Sequence, residues 1–264
     1  MSDSVKPRES TISNLKPKTY NLPDPWVAVV VVIVAFLAAS VITQQILQIY
    51  PVLRHWSVGQ ANSWFVNSVW AQFSYVLLAY GMLLSSIIWF LRWRQVSLQA
   101  IGLKRPRWRD LGLALGMLPL YYAAYLVIVA VVKQLVPALN VDQKQQIGFS
   151  GAHGVLPLTV TFLSLAVIPP LVEETVMRGF LFSGLRAKLM LPWATIITSV
   201  LFALGHLQFG SGAPLLWIAA LDTFTLSLFL IYLRQKTDSL WASILLHGLK
   251  NSLAFILIFI YHQT

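Results

Sequence analysis

Two adjacent glutamates, Glu173 and Glu174, lie in an otherwise apolar stretch that also carries Arg178. An ionisable side chain at membrane depth costs several kcal/mol unless it is paired or lines a wet cavity, so these residues are candidates for function. Glu174 and Arg178 are four residues apart with the acid first, which on a helix favours an ion pair. Glu173 points about 100° away on the same helix and is free to act as a general base. The structural alternative is that both glutamates only neutralise nearby basic groups.

Two histidines, His206 and His247, also lie inside apolar stretches, and Asn251 follows His247 by four residues. Residues four apart lie on one helical face, so His247 and Asn251 are predicted to face a common site. A single histidine in a membrane helix is more often a hydrogen-bonded packing residue. Two histidines together with two glutamates favour a functional site over packing alone.

These polar side chains must be positioned by long apolar helices. The chain has 264 residues, of which 57% are hydrophobic and 11% charged, and a bilayer core of ~30 Å needs about 20 apolar residues of helix. The sequence therefore predicts an all-α fold, a polytopic membrane helix bundle with about seven transmembrane helices. The predicted spans are Trp26–Ile49, Val69–Leu91, Leu111–Val132, Val155–Pro170, Leu191–Leu207, Pro214–Leu233 and Leu240–Tyr261.

The double proline Pro169-Pro170 predicts that a new helix begins near Pro170, because proline suits a first helical turn but cannot continue a helix from within. Glu173 and Glu174 would then lie in the first turn, where the helix dipole favours negative charge. With a rise of about 1.5 Å per residue from the predicted helix ends, Glu173 and His206 lie about 22 Å deep and Asn251 about 17 Å deep. Residues from three helices are thus predicted at one level of the membrane.

The formal charge of +10 is explained by topology rather than by nucleic acid, which we exclude as a partner. If the N-terminus is cytoplasmic, most Lys and Arg residues fall in cytoplasmic segments, as the positive-inside rule requires. Residues 1–24 are predicted to be a disordered cytoplasmic tail, and residues 25–264 one membrane-embedded helical domain. The chain has no cysteine, which excludes disulfides, thiolate catalysis and Cys-ligated zinc.

Three patterns occur in the order Glu173-Glu174-x-x-x-Arg178, Phe202-x-x-x-His206 and His247-x-x-x-Asn251. Together they resemble the CAAX protease and bacteriocin-processing (CPBP) family, also called Abi, over about residues 110–251. The resemblance implies an intramembrane endopeptidase of the CAAX prenyl protease type II kind. Such an enzyme hydrolyses a peptide bond of a membrane-anchored or lipidated protein, and we expect its cavity to open to the cytoplasm.

The resemblance also implies a role for each site residue. Glu173 and His206 would activate a water molecule that attacks the scissile carbonyl, and His247 with Asn251 would stabilise the oxyanion. Glu174 and Arg178 would hold the first motif in position.

Three questions stay open at this point. The preferred interpretation requires no cofactor, although Glu173, His206 and His247 also match a catalytic zinc site of a metalloprotease in ligand type and number. The alternative function is a non-enzymatic membrane scaffold or a bacteriocin-immunity-type protein. A transporter that uses the carboxylates as proton relays is a third interpretation. Besides the lipid bilayer, the expected partner is a membrane protein or lipidated protein substrate.

Overall fold

The computed structural model describes residues 21–145, 147–208 and 214–261, and in these ranges the chain forms helices and no strand. Six helices are long and apolar enough to cross a membrane, and a seventh, α6, is apolar but shorter. The predicted all-helical, polytopic bundle is thus confirmed, and the sequence prediction missed only the short helix α2. The helices are α1 (Pro25–Leu53), α2 (Val58–Asn67), α3 (Val69–Trp93), α4 (Trp108–Leu135), α5 (Val155–Arg186), α6 (Leu191–Leu204), α7 (Trp217–Thr237) and α8 (Trp241–Ile260).

The double proline does not begin a new helix, because α5 runs continuously from Val155 to Arg186. A π-helical segment, Leu163–Val167, ends two residues before Pro169. Its wider turn moves the preceding carbonyls away from the prolyl rings, which would clash with them in a regular α-helix. The prediction that the two glutamates lie at a helix N-terminus was therefore wrong, since they lie in the middle of α5.

A second π-helical segment, Thr175–Leu181, comes directly after the glutamates. The two carboxylates are thus held on a short α-helical stretch, Ile168–Glu174, between two wide turns. Widened turns of this kind are frequent at functional sites, because each one changes the direction in which the later side chains point.

Two buried apolar clusters pack the bundle on either side of α5. One joins α1, α3 and α5 through residues such as Ala28, Ile87 and Phe180. The other joins α4, α7 and α8 through residues such as Tyr121 and Leu230. Because α5 contacts both groups of helices, its glutamates lie near the centre of the bundle.

One end of the bundle gathers the loops that carry most of the basic residues, and we call it the basic face. It is formed by residues 21–24, 92–109, 186–190 and 234–241. The loop between α3 and α4 is held there, because the N–H of Leu240 donates to the Gly102 carbonyl at 2.9 Å. Lys188 forms an ion pair with Asp24, and its hydrogen bond and positive charge hold the pKa of that carboxyl below its usual value.

The other end, which we call the opposite face, carries the loop between α4 and α5. The Gln143 side chain ties this loop to the start of α7, because its Nε2 donates to the Leu215 carbonyl at 3.1 Å and its Oε1 accepts from Ile218 N–H at 3.3 Å. The side chain of Gln72 on α3 accepts from the Phe149 N–H in the same loop. The predicted disordered tail is residues 1–24, of which 1–20 lie outside the described residues.

Candidate active site

Glu173 is held by a partner from a different helix. The Tyr80 hydroxyl on α3 donates to Glu173 Oε1 at 2.6 Å. The second carboxylate oxygen, Oε2, is buried and accepts no hydrogen bond from the described part of the chain. It lies 3.9 Å from Nε2 of His247, which is too long for a direct hydrogen bond. One oxygen of Glu173 is therefore fixed while the other is available within the site.

Glu174 joins two of the predicted motifs through a single oxygen. Its Oε1 accepts from Arg178 Nη1 at 2.9 Å and lies 3.0 Å from Nδ1 of His247. All three side chains are buried, with exposed fractions of 4% or less. Because a carboxylate can only accept, Nδ1 of His247 carries the proton and its Nε2 is directed at Glu173. Glu174 thus orients His247 as well as pairing with Arg178.

The Phe202 ring lies at the centre of the motif residues. The Arg178 guanidinium carbon lies 4.2 Å from the ring centroid, and the rings of His206 and His247 make edge contacts at centroid distances of 4.7 and 5.9 Å. A cation over a ring face is favourable, particularly where both groups are desolvated. Phe202 therefore contacts the arginine and both histidines.

His206 does not lie within a helix, in contrast to the predicted span Leu191–Leu207. Helix α6 ends at Leu204, and the His206 N–H bonds to the Ala203 carbonyl instead of to Phe202. The partner of the Phe202 carbonyl is the imidazole of His206 instead of its backbone N–H, because Nδ1 lies 2.8 Å from the carbonyl oxygen. That contact places the proton on Nδ1 and leaves Nε2 as an acceptor.

The Asn251 side chain bonds to the Leu165 carbonyl, which lacks the usual helical N–H donor because of the double proline. The Asn251 Nδ2 donates to the Leu165 oxygen at 2.9 Å. The residues four and five positions after Leu165 are Pro169 and Pro170, which have no N–H, so neither an α-type nor a π-type bond can form there. Asn251 therefore supplies the missing donor from α8.

Gly248, three residues before Asn251, allows α8 to approach α5 at the same place. A Cβ atom at position 248 would lie 3.3 Å from the Ala166 carbonyl oxygen. A side chain there would be tighter than ordinary van der Waals contact, so the glycine permits the Asn251 bond to form.

Glu173, His206, His247 and Asn251 line one cavity of about 140 Å³. An ion pair absent from the predicted motifs shares its wall, because Lys250 Nζ lies 2.7 Å from Asp222 Oδ2. The Tyr121 hydroxyl bonds to the other oxygen of Asp222.

Sequence reasoning missed Tyr80, Tyr121 and Lys250, and it assigned no role to Asp222. Both tyrosines are polar groups inside apolar spans, but a tyrosine in a membrane helix is too common to be a signal alone.

No three His, Asp or Glu side chains in the described ranges are grouped closely enough to hold a metal ion. Zinc binding through Glu173, His206 and His247 is the alternative to the preferred cofactor-free site, and direct metal analysis tests it.

Comparison with known proteins places these residues in a family. A family model described as type II CAAX prenyl endopeptidase Rce1-like matches residues 155–253, which contain all three motifs. The UPF0177 protein YxdF of Lactococcus lactis subsp. lactis (strain IL1403) is 30% identical over 172 residues, which cover 64% of this chain and 86% of that protein. No solved structure matches the chain. The resemblance inferred from the motifs is confirmed to this extent, and the chain belongs to the Rce1-like family of type II CAAX prenyl endopeptidases.

Proposed function

We propose that this protein is an intramembrane endopeptidase that hydrolyses a peptide bond of a membrane-anchored or lipidated protein, with Glu173 as the general base. The family supports CAAX-type intramembrane protease activity in general. The observation that carries the proposal is the 3.9 Å gap between Glu173 Oε2 and His247 Nε2 at the cavity wall. A gap of this length suits a bridging water molecule, which would be the nucleophile.

In the proposed reaction Glu173 Oε2 takes a proton from the water as its oxygen attacks the scissile carbonyl carbon. Tyr80 keeps Oε1 occupied, so Oε2 is the oxygen that meets the water. The Nε2 of His206 is a second acceptor for the same water. Glu173 then returns the proton to the leaving nitrogen as the carbon–nitrogen bond breaks, so that an acid and an amine are the products.

The negative charge on the tetrahedral intermediate needs donors, and His247 and Asn251 are proposed to supply them. His247 donates from Nε2 only when both ring nitrogens are protonated, and Glu174 stabilises that cation through Nδ1. One Asn251 N–H is fixed on the Leu165 carbonyl, which orients the amide so that its other N–H is available to the intermediate.

The test compares the membrane proteomes of cells that express the wild type, Glu173→Gln and Asp142→Asn. The control Asp142 is a carboxylate in an exposed loop, so its loss should leave activity unchanged. Glu173→Gln should keep the fold, because the glutamine oxygen can accept from Tyr80, and should lower cleavage about 10²–10⁴-fold. New protein termini present with the wild type and the control, and absent with Glu173→Gln, would support proteolysis. Identical termini in all three strains would refute it and favour a scaffold or an immunity-type role.

A further inference from the structure

A second charged group shares the cavity with the motif residues, although none of the three motifs contains it. Lys250 on α8 and Asp222 on α7 both line the cavity, and Nζ of Lys250 lies 2.7 Å from Oδ2 of Asp222. The two side chains have exposed fractions of 19% and 18%, whereas the paired side chains of Glu174 and Arg178 have none. The Lys250–Asp222 pair is therefore within reach of a molecule that enters the cavity.

Stability alone does not account for the Lys250–Asp222 pair. Two charges at membrane depth cost several kcal/mol to desolvate, and polar contacts between membrane helices contribute about 0.6 kcal/mol on average. Apolar side chains of similar size would join α7 and α8 without that cost. The proposed mechanism uses neither residue, so an ionisable pair in this position is a candidate for a function of its own.

The two members of the pair differ in the number of partners that they can still accept. Oδ1 of Asp222 accepts from the Tyr121 hydroxyl on α4, and Oδ2 pairs with Lys250, so both carboxylate oxygens are occupied. An ammonium group has three N–H donors, and Asp222 is the one partner of Nζ among the residues that the structure describes. Asp222 thus holds the ammonium in place, and Lys250 has donors left for an acceptor in the cavity.

Lys250 lies about one helical turn from His247, which determines how far a substrate group must extend to meet it. It follows His247 by three residues, so its Cα lies about 4.5 Å farther along α8. An extended peptide advances about 3.3 Å per residue. A peptide whose scissile carbonyl lies between Glu173 and His247 therefore brings a group within about three residues of the scissile bond to Lys250.

The wall of the cavity beyond Lys250 is apolar. Ala254 and Ile258 follow Lys250 at intervals of four residues, so they lie on the same face of α8, and both line the cavity. Lys250 is the one lysine or arginine among the described residues of the cavity wall. In apolar surroundings an ammonium group binds a charged acceptor more strongly than a neutral one. The charged acceptor that an unmodified polypeptide carries is a carboxylate.

We infer that Lys250 is a specificity-determining residue that binds a carboxylate of the substrate, while Asp222 and Tyr121 hold it in position. The inference rests on the proposed function and deepens it by naming the substrate class. The substrate is an apolar polypeptide with a carboxylate within about three residues of the scissile bond, either on an acidic side chain or at the free C-terminus. Before substrate binds, Asp222 pairs with Lys250 and keeps this cation from pairing with Glu173.

The test measures binding in purified protein that carries Glu173→Gln and is reconstituted in lipid nanodiscs. Four fluorescent peptides of alanine and leucine are compared. One contains Gln near a free C-terminal carboxylate, and three are amidated and carry Glu, Gln or Lys at that position. Fluorescence anisotropy gives the Kd of each peptide. The free-acid peptide, the Glu peptide or both should bind about 10-fold tighter than the amidated Gln peptide, because a charge-assisted hydrogen bond is gained.

Two further variants, made in the Glu173→Gln background, assign the effect to Lys250. Asp222→Asn together with Lys250→Met removes both charges at once, so that neither is left unpaired and the fold should be retained. The preference for a carboxylate should then disappear. Asp222→Asn alone keeps the lysine, and its amide oxygen can still accept from Lys250, so the preference should remain. Each comparison is a ratio between peptides, so their partition into lipid cancels between the variants.

Three results would overturn the inference: equal or undetectable binding of the four peptides, tighter binding of the Lys peptide, or a carboxylate preference that survives in the double variant. Loss of the preference in Asp222→Asn alone would also contradict it. The tighter binder of the two acidic peptides identifies the source of the carboxylate.

Binding needs no proteolysis, so this inference and the proposed function can fail separately. A Lys250-dependent preference without Glu173-dependent protein termini in cells would leave the carboxylate site standing and refute the protease. Glu173-dependent cleavage sites that have no carboxylate within about three residues would overturn the inference and leave the protease proposal intact.

Discussion

The hydrogen bond between Asn251 and the Leu165 carbonyl makes a prediction that involves a third residue, Pro169. Asn251→Ala removes the side-chain donor to this carbonyl, and should destabilise the fold. Pro169→Ala restores an N–H four residues after Leu165, where a helix normally supplies the donor. In the Pro169→Ala background, Asn251→Ala should therefore cost much less.

The size of the effect depends on the position of the carbonyl. A buried acceptor left without a partner costs about 1–3 kcal/mol in soluble proteins. Hydrogen bonds between membrane helices average about 0.6 kcal/mol with a maximum near ~1.7. Because Leu165 lines the cavity, where water can partly replace the donor, we expect about 1 kcal/mol for Asn251→Ala. With Pro169→Ala the cost should fall to about 0.3 kcal/mol, which is a coupling of about 0.7 kcal/mol.

The assay is reversible unfolding of the purified protein in mixed detergent and SDS micelles, with the free energy of unfolding determined for the four members of the cycle. Pro119→Ala provides the matched control, because Pro119 is also a proline inside a transmembrane helix but lies on α4, away from Leu165. In the Pro119→Ala background, Asn251→Ala should lower the free energy of unfolding by the same amount as in the wild type, about 1 kcal/mol. An equal cost in the Pro169→Ala and Pro119→Ala backgrounds would refute the account of why α8 bonds to α5.

Three further predictions use the same protein. Gly248→Ala should lower the free energy of unfolding by about 1 kcal/mol, because the added Cβ is in tight contact with the Ala166 carbonyl oxygen. Gly112→Ala on α4, with open space around it, should raise the free energy of unfolding by about 0.5 kcal/mol. Equal effects of the two changes would show that close approach of the helices is unimportant. Arg178→Lys keeps the charge but loses the planar stack on Phe202, so unfolding should become easier by about 1–3 kcal/mol, and wild-type stability would contradict this. Glu173-dependent cleavage should survive a chelator, with less than stoichiometric metal in the purified protein; loss of activity that zinc restores would instead support the metalloprotease alternative.

Local spacing predicted the contacts that lie within one helix. Glu174 and Arg178 are four residues apart, and the structure contains their ion pair at 2.9 Å because any helical geometry brings such residues together. The structure also brings Glu173 and His206 to one cavity, although the equal depth estimated from helix rise stays a prediction. Contacts across the bundle were not predictable in this way: Tyr80 is 93 residues from Glu173, and nothing in either local sequence indicates the pair.

The errors have specific physical causes. The proline rule assumes a regular α-helix, and the π-helical turn before Pro169 removes the clash on which that rule depends. The span that included His206 was predicted from hydropathy alone. Hydropathy does not indicate that the imidazole can bond to the Phe202 carbonyl in place of the backbone N–H, so that the helix ends.

The two π-helical turns of α5 also restrict how this chain can change in evolution. A π-turn contains one residue more than an α-helical turn, so deleting a single residue from 163–167 would convert it to regular helix. Such a deletion would leave Glu173 facing nearly the same way, because the lost residue is the extra one of the wide turn, but the carbonyls before Pro169 would return to positions where they clash with the prolyl rings. A deletion in the regular stretch Ile168–Glu174 would instead rotate everything beyond it by about 100°. Relatives that keep the site should therefore vary in length in the loop between α4 and α5, and hardly at all within α5.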